Sequence, residues 1–325
     1  MTTSLAVPRP TGPAAVLGGL VRRGAAIWLV VVAFLILLSV MRGGQLWSTG
    51  NLAALLTSAV VLGVVALGQY LVVVSGGIDL SIGATVSVTT LLTAMLIDGY
   101  PVRTFPVIVG VIVLGGVLGA LNGLAVAKLS LPPFIVTLAT LYIYGGVALW
   151  ISSVPTGQVT SAMSGFAIGR IGPVPYMFLL LLLLVAVVWF LTQRTTWGRH
   201  LLAVGGDADS ARLAGIRVDR TTIWAYTIAG LLAGIAGVLL ASRSIIGNPT
   251  AGNGFELSAI TVVVLGGTSL LGGKGTILGV MGGVALLSLI TNSITLLQFP
   301  STITDLIRGI VIIVAAAVFV AKRRR

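Results

Sequence analysis

The sequence predicts an all-α membrane protein that crosses the bilayer about ten times, and three observations carry that prediction. Of 325 residues, 57% are hydrophobic and only 8% charged, whereas soluble domains carry roughly 25% charged residues. A soluble chain so poor in charge could not cover its surface, so lipid must serve as solvent for much of it. Apolar stretches of about 20 residues, the length that crosses a bilayer, recur along the chain. The chain also holds 43 glycines. Glycine is costly in a soluble helix but frequent in transmembrane helices, where it lets backbones approach closely.

The apolar stretches run over about residues 24–41, 52–74, 82–97, 105–127, 134–152, 175–192, 222–242, 258–271, 276–297 and 303–321. Residues 1–20, rich in Pro, Thr and Gly, read as a flexible tail, 21–321 as one transmembrane domain, and 322–325 as a basic cytoplasmic C-terminus. Arg22 and Arg23 followed by Ala25 to Val40 superficially suggest a signal peptide. The apolar run is long for one, and no A-x-A-like cleavage site follows, so it reads as the first span. The stretches 82–97 and 258–271 are short and bounded by glycine clusters. Such segments are where transporters break or re-enter their helices.

Lysine and arginine set the orientation. With the N-terminus in the cytoplasm, the inside set is Arg9, Arg22, Arg23, Lys128, Arg194, Arg199, Arg212, Arg217, Arg220, Lys274, Lys322, Arg323, Arg324 and Arg325. The outside set is Arg42, Arg103, Arg170 and Arg243. That asymmetry satisfies the positive-inside rule and places both termini in the cytoplasm. The segment from Ser153 to Pro173 is then periplasmic, and the charged loop 193–221 is cytoplasmic.

Several function classes are excluded. The net charge of +12 lies in loops between apolar segments and at the C-terminus, with no basic face interleaved with aromatics, so nucleic acid is not the expected partner. There is no cysteine, and His200 is the one histidine. Disulfides, thiol catalysis and His-cluster metal sites are therefore ruled out. The stretch GGTSLLGGKG resembles a phosphate loop but fails its pattern. Thr268 stands where the first glycine is required, and Gly275 follows Lys274 where Ser or Thr is required.

Within the cytoplasmic loop, Gly205 and Gly206 are expected to make a turn. Asp207 or Asp209 can then cap a short helix that ends at Gly215. Such a helix also suits an ordinary loop. The break Ser75-Gly76-Gly77 precedes Asp79, a carboxylate costly to bury in a bilayer. Helix capping with support from Ser81, lining a pathway, and proton coupling all stay open for it. By polarity and depth, Gln69, Asp79, Asn122 and Thr137 are candidates to line a substrate pathway. Glu256 reads as a helix cap, and Asp305 with Arg308 as a neutralising pair in the last span. Gly115/Gly119/Gly123, Gly230/Gly234 and Gly279/Gly283 have the small-xxx-small spacing of close helix packing.

Four stretches carry a family resemblance. They are SGGIDLSIG from Ser75, LPPFIVTLATL from Leu131, WGRHLLAVGGDADSARLAGI from Trp197 and FELSAITVVVLGGTSLLGGKGTILG from Phe255. In sequence, order and spacing the chain resembles the ribose/xylose/galactofuranose-type ABC transporter permeases (ribose permease-like) over about residues 50–320. The resemblance implies a cobalamin-importer-like (type II ABC importer) fold that moves a pentose or hexose into the cell across the bacterial inner membrane. It implies as partners a cytoplasmic ABC ATPase, a periplasmic or lipid-anchored sugar-binding protein and a second permease subunit. It implies no catalysis and no cofactor in this chain, ATP being bound by the partner. Asp207, Asp209, Ala211, Arg212, Leu213 and Gly215 would then form a coupling helix seated on the ATPase. The chain departs from the family's usual Asn at Asp207 and from its usual acidic residue at Ser258. An ion-coupled secondary transporter, a branched-chain amino-acid permease and a membrane scaffold remain as alternatives.

Overall fold

A computed structural model describes residues 26–298 together with Leu306 and Gly309. The 1–20 tail, the Asp305/Arg308 pair, the 322–325 terminus and nearly all of the 303–321 span lie outside the described residues. Seven described helices are long and apolar enough to cross a membrane: α1 (Ala26–Leu46), α2 (Thr49–Val74), α4 (Pro101–Lys128), α5 (Pro133–Ile151), α7 (Tyr176–Arg194), α10 (Val218–Ser244) and α12 (Ile277–Leu296). Between them lie the shorter helices α3 (Ile82–Ile97), α6 (Ser161–Ile168), α8 (Thr196–Gly206), α9 (Ala208–Leu213) and α11 (Phe255–Leu265). A two-residue antiparallel hairpin, β1 (Arg170–Ile171) with β2 (Val174–Pro175), joins α6 to α7.

Local chemistry sets the boundaries. Ser48 accepts the Asn51 N–H (3.3 Å) to start α2, and Thr276 accepts the Gly279 N–H (3.1 Å) to start α12. Proline opens α4 and α5, where its missing N–H is no loss. Nine of the ten expected stretches recur as helices, with ends shifted by a few residues. The largest difference is at 258–271, where the helix starts at Phe255 and stops at Leu265. Gly266 and Gly267 end it, Gly267 with φ +81.

Helix α2 forms the centre. From Val60 to Val74 its side chains are buried on all sides against α7, α10, α11 and α12. Such all-round apolar burial marks a core helix. Helices α4, α5 and α7 instead present large apolar side chains outward, such as Phe105, Trp150 and Phe190, as lipid-facing helices do.

Helix α4 meets α10 almost backbone to backbone. A Cβ at Gly115 would strike the Gly230 carbonyl, one at Gly119 the Tyr226 carbonyl, and one at Gly230 the Gly115 carbonyl. The small-xxx-small glycines thus interlock, and Gly279 and Gly283 likewise fit α12 against Gly266 and Val262. Gly230→Val should therefore cost about 1–3 kcal/mol of overpacking, read as a lower melting temperature in detergent. Gly110→Val on α4, with no described residue within 4 Å of its Cβ, should leave it unchanged.

The two ends of the bundle differ. At one end, α2 stops, α8 and α9 lie, and the loop 266–276 turns: Gly273 N–H donates to the Val74 carbonyl (2.9 Å). At the other, residues 153–160 lie across the ends of α3 and α10. Thr156 pairs with Gly247, and the Val159 N–H donates to the Ile245 carbonyl (3.0 Å). The expected extramembrane segment 153–173 is thus structured, with α6 and the first strand of the hairpin inside it.

Two short helices are entered through irregular segments that run in from opposite ends of the bundle. Residues 75–81 run irregularly from the end of α2 to α3, and residues 245–254 run irregularly from α10 to α11. At 1.5 Å per residue α11 spans only about 16 Å of a hydrocarbon core about 30 Å thick. The Gly252 N–H donates to Ser87 Oγ (2.9 Å), and a Cβ on Gly83 would strike Glu256. The start of α11 therefore lies against the start of α3. Glu256 closes the first turn of α11 by accepting the Gly254 N–H (3.0 and 3.1 Å), which is the capping geometry.

Candidate functional site

The four polar residues at membrane depth converge on residues 78–81. Gln69 on α2, with its amide oriented to match its neighbours, donates to the Asp79 carbonyl (2.9 Å) and accepts the Asp79 N–H (3.3 Å). Thr137 on α5 donates to the Ile78 carbonyl (3.0 Å), as does Tyr226 on α10 (3.3 Å). Asp79 Oδ1 accepts the Ser81 N–H (2.8 Å) and the Ser81 hydroxyl (2.7 Å), just before α3 begins. Asn122 on α4 donates to Ser81 Oγ (2.7 Å). Gln69, Asp79, Asn122 and Thr137 are all buried. Four helices thus hold one irregular segment through its own backbone groups and side chains. This arrangement satisfies groups that lipid could not. Among the described residues, Asn122 Oδ1 alone in this set has no partner.

Tyr226 and Ser81 complete this set. Tyr226 was not a candidate because an aromatic in an apolar helix reads as core, and only the fold shows its hydroxyl reaching Ile78.

At the end of the bundle where α2 stops, the chain builds a capped helix pair. Thr195 accepts the Gly198 N–H (3.2 Å) to start α8. The glycine pair does not make the expected turn: Gly205 and Gly206 belong to α8, because bare backbone is what fits there. A Cβ on Gly205 would strike the Val74 carbonyl. The turn falls at Asp207, which ends α8 and caps α9, its Oδ1 accepting the Ser210 N–H (2.7 Å). That backbone hydrogen bond holds the exposed Asp207 carboxyl below the usual carboxylate range. Gly215, with φ +80, closes α9, and the Ile216 N–H returns to the Ala211 carbonyl (3.0 Å).

On α9, Ala211 faces inward while Leu213 is 91% exposed. Asp209 and Arg212 pair at 3.2 Å on the open surface. Lys128 pairs with Asp219 at 2.7 Å beside it. A cavity of about 360 Å³ separates α9 from the bundle, reached by Gly76, Gly77, Pro132, Arg212 and Tyr226. Two glycine-rich turns, Gly76 after α2 and Gly272–Gly273 after α11, meet the helical Gly205 of α8 behind it. Among the described residues no three His, Asp or Glu side chains gather as metal ligands.

Seven membrane-length helices, two shorter ones entered through irregular segments, and a capped helix pair fastened to the end of α2 and to the loop after α11 define a multi-pass helical permease. The chain belongs to the family described as branched-chain amino acid transport system / permease component, whose model matches residues 51–316. It is 34% identical over 302 residues to the ribose import permease of Escherichia coli K12, covering 90% of this chain and 94% of that one. It is 33% identical over 302 residues to the fructose import permease of Rhizobium meliloti (89% and 83% covered). It is also 37% identical over 285 residues to an inner membrane ABC transporter permease of E. coli K12 (85% and 84% covered). No solved structure matches the chain.

Proposed function

We propose that this chain is the membrane-spanning permease subunit of an ATP-driven ABC importer for a monosaccharide of the pentose or hexose class, in the bacterial inner membrane. The observation that carries this reading is α9. It is a short, doubly capped helix that holds an exposed leucine and an open ion pair outside the bundle, and its base is fixed through α8 to the break after α2 and to the loop 266–276. The sugar relatives and the SGGIDLS stretch favour a sugar over a branched-chain amino acid.

In this reading α9 is the coupling helix. Asp207 caps it, Ala211 seats it, Gly215 ends it, and Asp209, Arg212 and Leu213 meet a cytoplasmic ABC ATPase. That subunit binds ATP; this chain hydrolyses nothing and holds no cofactor. The lysine and arginine bias supports cytoplasmic termini. This reading gives the subunit ten crossings in a cobalamin-importer-like arrangement. A second permease subunit completes the pathway, and a periplasmic or lipid-anchored binding protein delivers the sugar. Closure of the ATPase pair pushes α9, α8 transmits the push to the segments beside Gly76 and Gly272, and the bundles rock about those breaks. Gln69, Asp79, Asn122 and Thr137 border the moving segment; as pathway residues they would be uncovered when it shifts.

Ala211→Pro tests the assignment. The Ala211 N–H donates to the Asp207 carbonyl (3.0 Å), and proline removes that donor and disrupts the helix at a cost of about 3 kcal/mol. Leu213→Asp keeps the helix and removes the apolar contact. Both should reduce ATPase co-purification and ATP-driven uptake at least tenfold, with the melting temperature of the membrane domain unchanged. Accumulation at the wild-type rate in both variants would remove the coupling assignment. Recovery of the chain alone, under conditions that keep a known ABC importer intact, would favour an ion-coupled transporter.

A further inference from the structure

We propose that a small hydroxyl-lined cavity between α2, α11 and α12 contacts the hydroxyl groups of a monosaccharide in transit; this rests on the import-permease reading above. The cavity measures about 100 Å³ and is lined by Ser58, Phe255, Ser258, Ser288 and Thr291 with two leucines. Ser58 lies about 13 Å along α2 from Thr49, and Ser288 about 16 Å along α12 from Ile277, at 1.5 Å per residue. Both are near the middle of a hydrocarbon core about 30 Å thick. Here α11 begins, and broken helices at the midplane are where transporters place substrate.

The hydroxyls are not all consumed by the fold. Ser288 is only 4% exposed, and its Oγ has no hydrogen-bond partner among the described residues. A buried hydroxyl without a partner is rare and unfavourable. The Ser258 side chain, also buried, makes no hydrogen bond among the described residues. Ser58 and Thr291 donate to the Leu55 carbonyl (2.7 Å) and the Leu287 carbonyl (3.0 Å), which leaves their oxygens free to accept. The cavity therefore offers two uncommitted hydroxyls and two further acceptors. A sugar hydroxyl both donates and accepts, so this set can pair with it in either sense. Phe255 and the leucines supply an apolar wall for the C–H face of the ring.

The lining favours a neutral polyol over an amino acid. Among the described residues it contains no ionisable side chain, so an ammonium or carboxylate would enter without a counter-charge, which is strongly unfavourable in a membrane. The end of α11 offers no vacancy for an anion either. The Glu256 carboxylate already takes the Gly254 N–H, and the Phe255 N–H goes to the Gly252 carbonyl (3.1 Å). The volume admits one edge of a monosaccharide, a few hydroxyls at a time, as suits a path that must release what it holds.

The test uses the whole transporter, this chain with its ATPase and binding protein, in proteoliposomes. Uptake of labelled pentoses and hexoses is measured beside that of their monodeoxy analogues. Wild type should accumulate a sugar with ATP; accumulation of none overturns the import reading and this inference with it. Given wild-type uptake, Ser258→Ala/Ser288→Ala should lower sugar flux on the order of tenfold, as loss of hydrogen bonds to substrate does. It should also narrow the preference for the sugar over one monodeoxy analogue. Unchanged flux, or an equal loss for the sugar and every analogue, would overturn the site while leaving the permease standing. Ser288→Cys gives an independent readout, because the chain has no cysteine of its own. The new thiol should react with a small water-borne thiol reagent, and the sugar should slow that reaction. Absence of reaction in every nucleotide state would count equally against the site.

Discussion

Gly205→Val is expected to abolish ATP-driven uptake while leaving the chain in the membrane with its ATPase bound. The Gly205 position is enclosed by backbone. An added Cβ would strike the Val74 carbonyl and come within 2.7 Å of the Gly273 nitrogen, whose N–H donates to that carbonyl (2.9 Å). No flexible side chain can swing aside, so α8 must shift away from the end of α2, at about 1–3 kcal/mol by analogy with overpacked cores. That shift separates α8 from the turns at Gly76 and Gly272, through which a push on α9 reaches the bundle. The docking surface on α9 itself is untouched, so ATPase binding should survive. Gly206→Val is the control: no described residue lies within 4 Å of a Cβ at that position, and uptake should stay near wild type. Both variants are scored for membrane yield, co-purified ATPase and ATP-dependent accumulation. Wild-type accumulation in Gly205→Val would show that coupling does not pass through this contact.

The helices were legible because lipid imposes a simple rule. A span must be apolar and long, and its backbone must satisfy itself; the stretches 82–97 and 276–297 therefore match α3 and α12 within a residue. The α9 cap was legible because Asp207 and Gly215 are local signals that need no tertiary context. The glycine pair was misread for the opposite reason. Glycine marks either a turn or a close approach, and only the Val74 carbonyl opposite Gly205 decides between them. Likewise Gln69, Asp79, Asn122 and Thr137 stood out as polar at depth, but polarity does not say what a side chain faces. The fold turns all four toward Ile78, Asp79 and Ser81. The hydroxyl cavity left only a faint trace, Ser288 and Thr291 one turn apart on α12, because Ser58 and Ser258 join them from helices distant in sequence.

Asp79 separates the ATP-driven reading from the ion-coupled one. Its carboxylate accepts two hydrogen bonds from Ser81, and Ser81 Oγ in turn accepts from Asn122. Asp79→Ala would leave the buried Ser81 N–H without a partner, a loss of about 1–3 kcal/mol, and release the segment that four helices hold. Lower thermal stability and at least a tenfold loss of uptake are expected. Asp79→Asn keeps an oxygen where Oδ1 sits, so it should retain the Ser81 contacts and transport within a few-fold of wild type. If instead Asp79→Asn is as stable as wild type but inactive, the charge itself is needed. Asp79 would then be a proton- or ion-binding group, and uptake should follow an imposed ion gradient without ATP. Rescue by asparagine, with uptake that stops when ATP is withdrawn, would mean that a short polar side chain at residue 79 serves to anchor the break before α3. The energy for transport would then enter at α9 and not through the membrane.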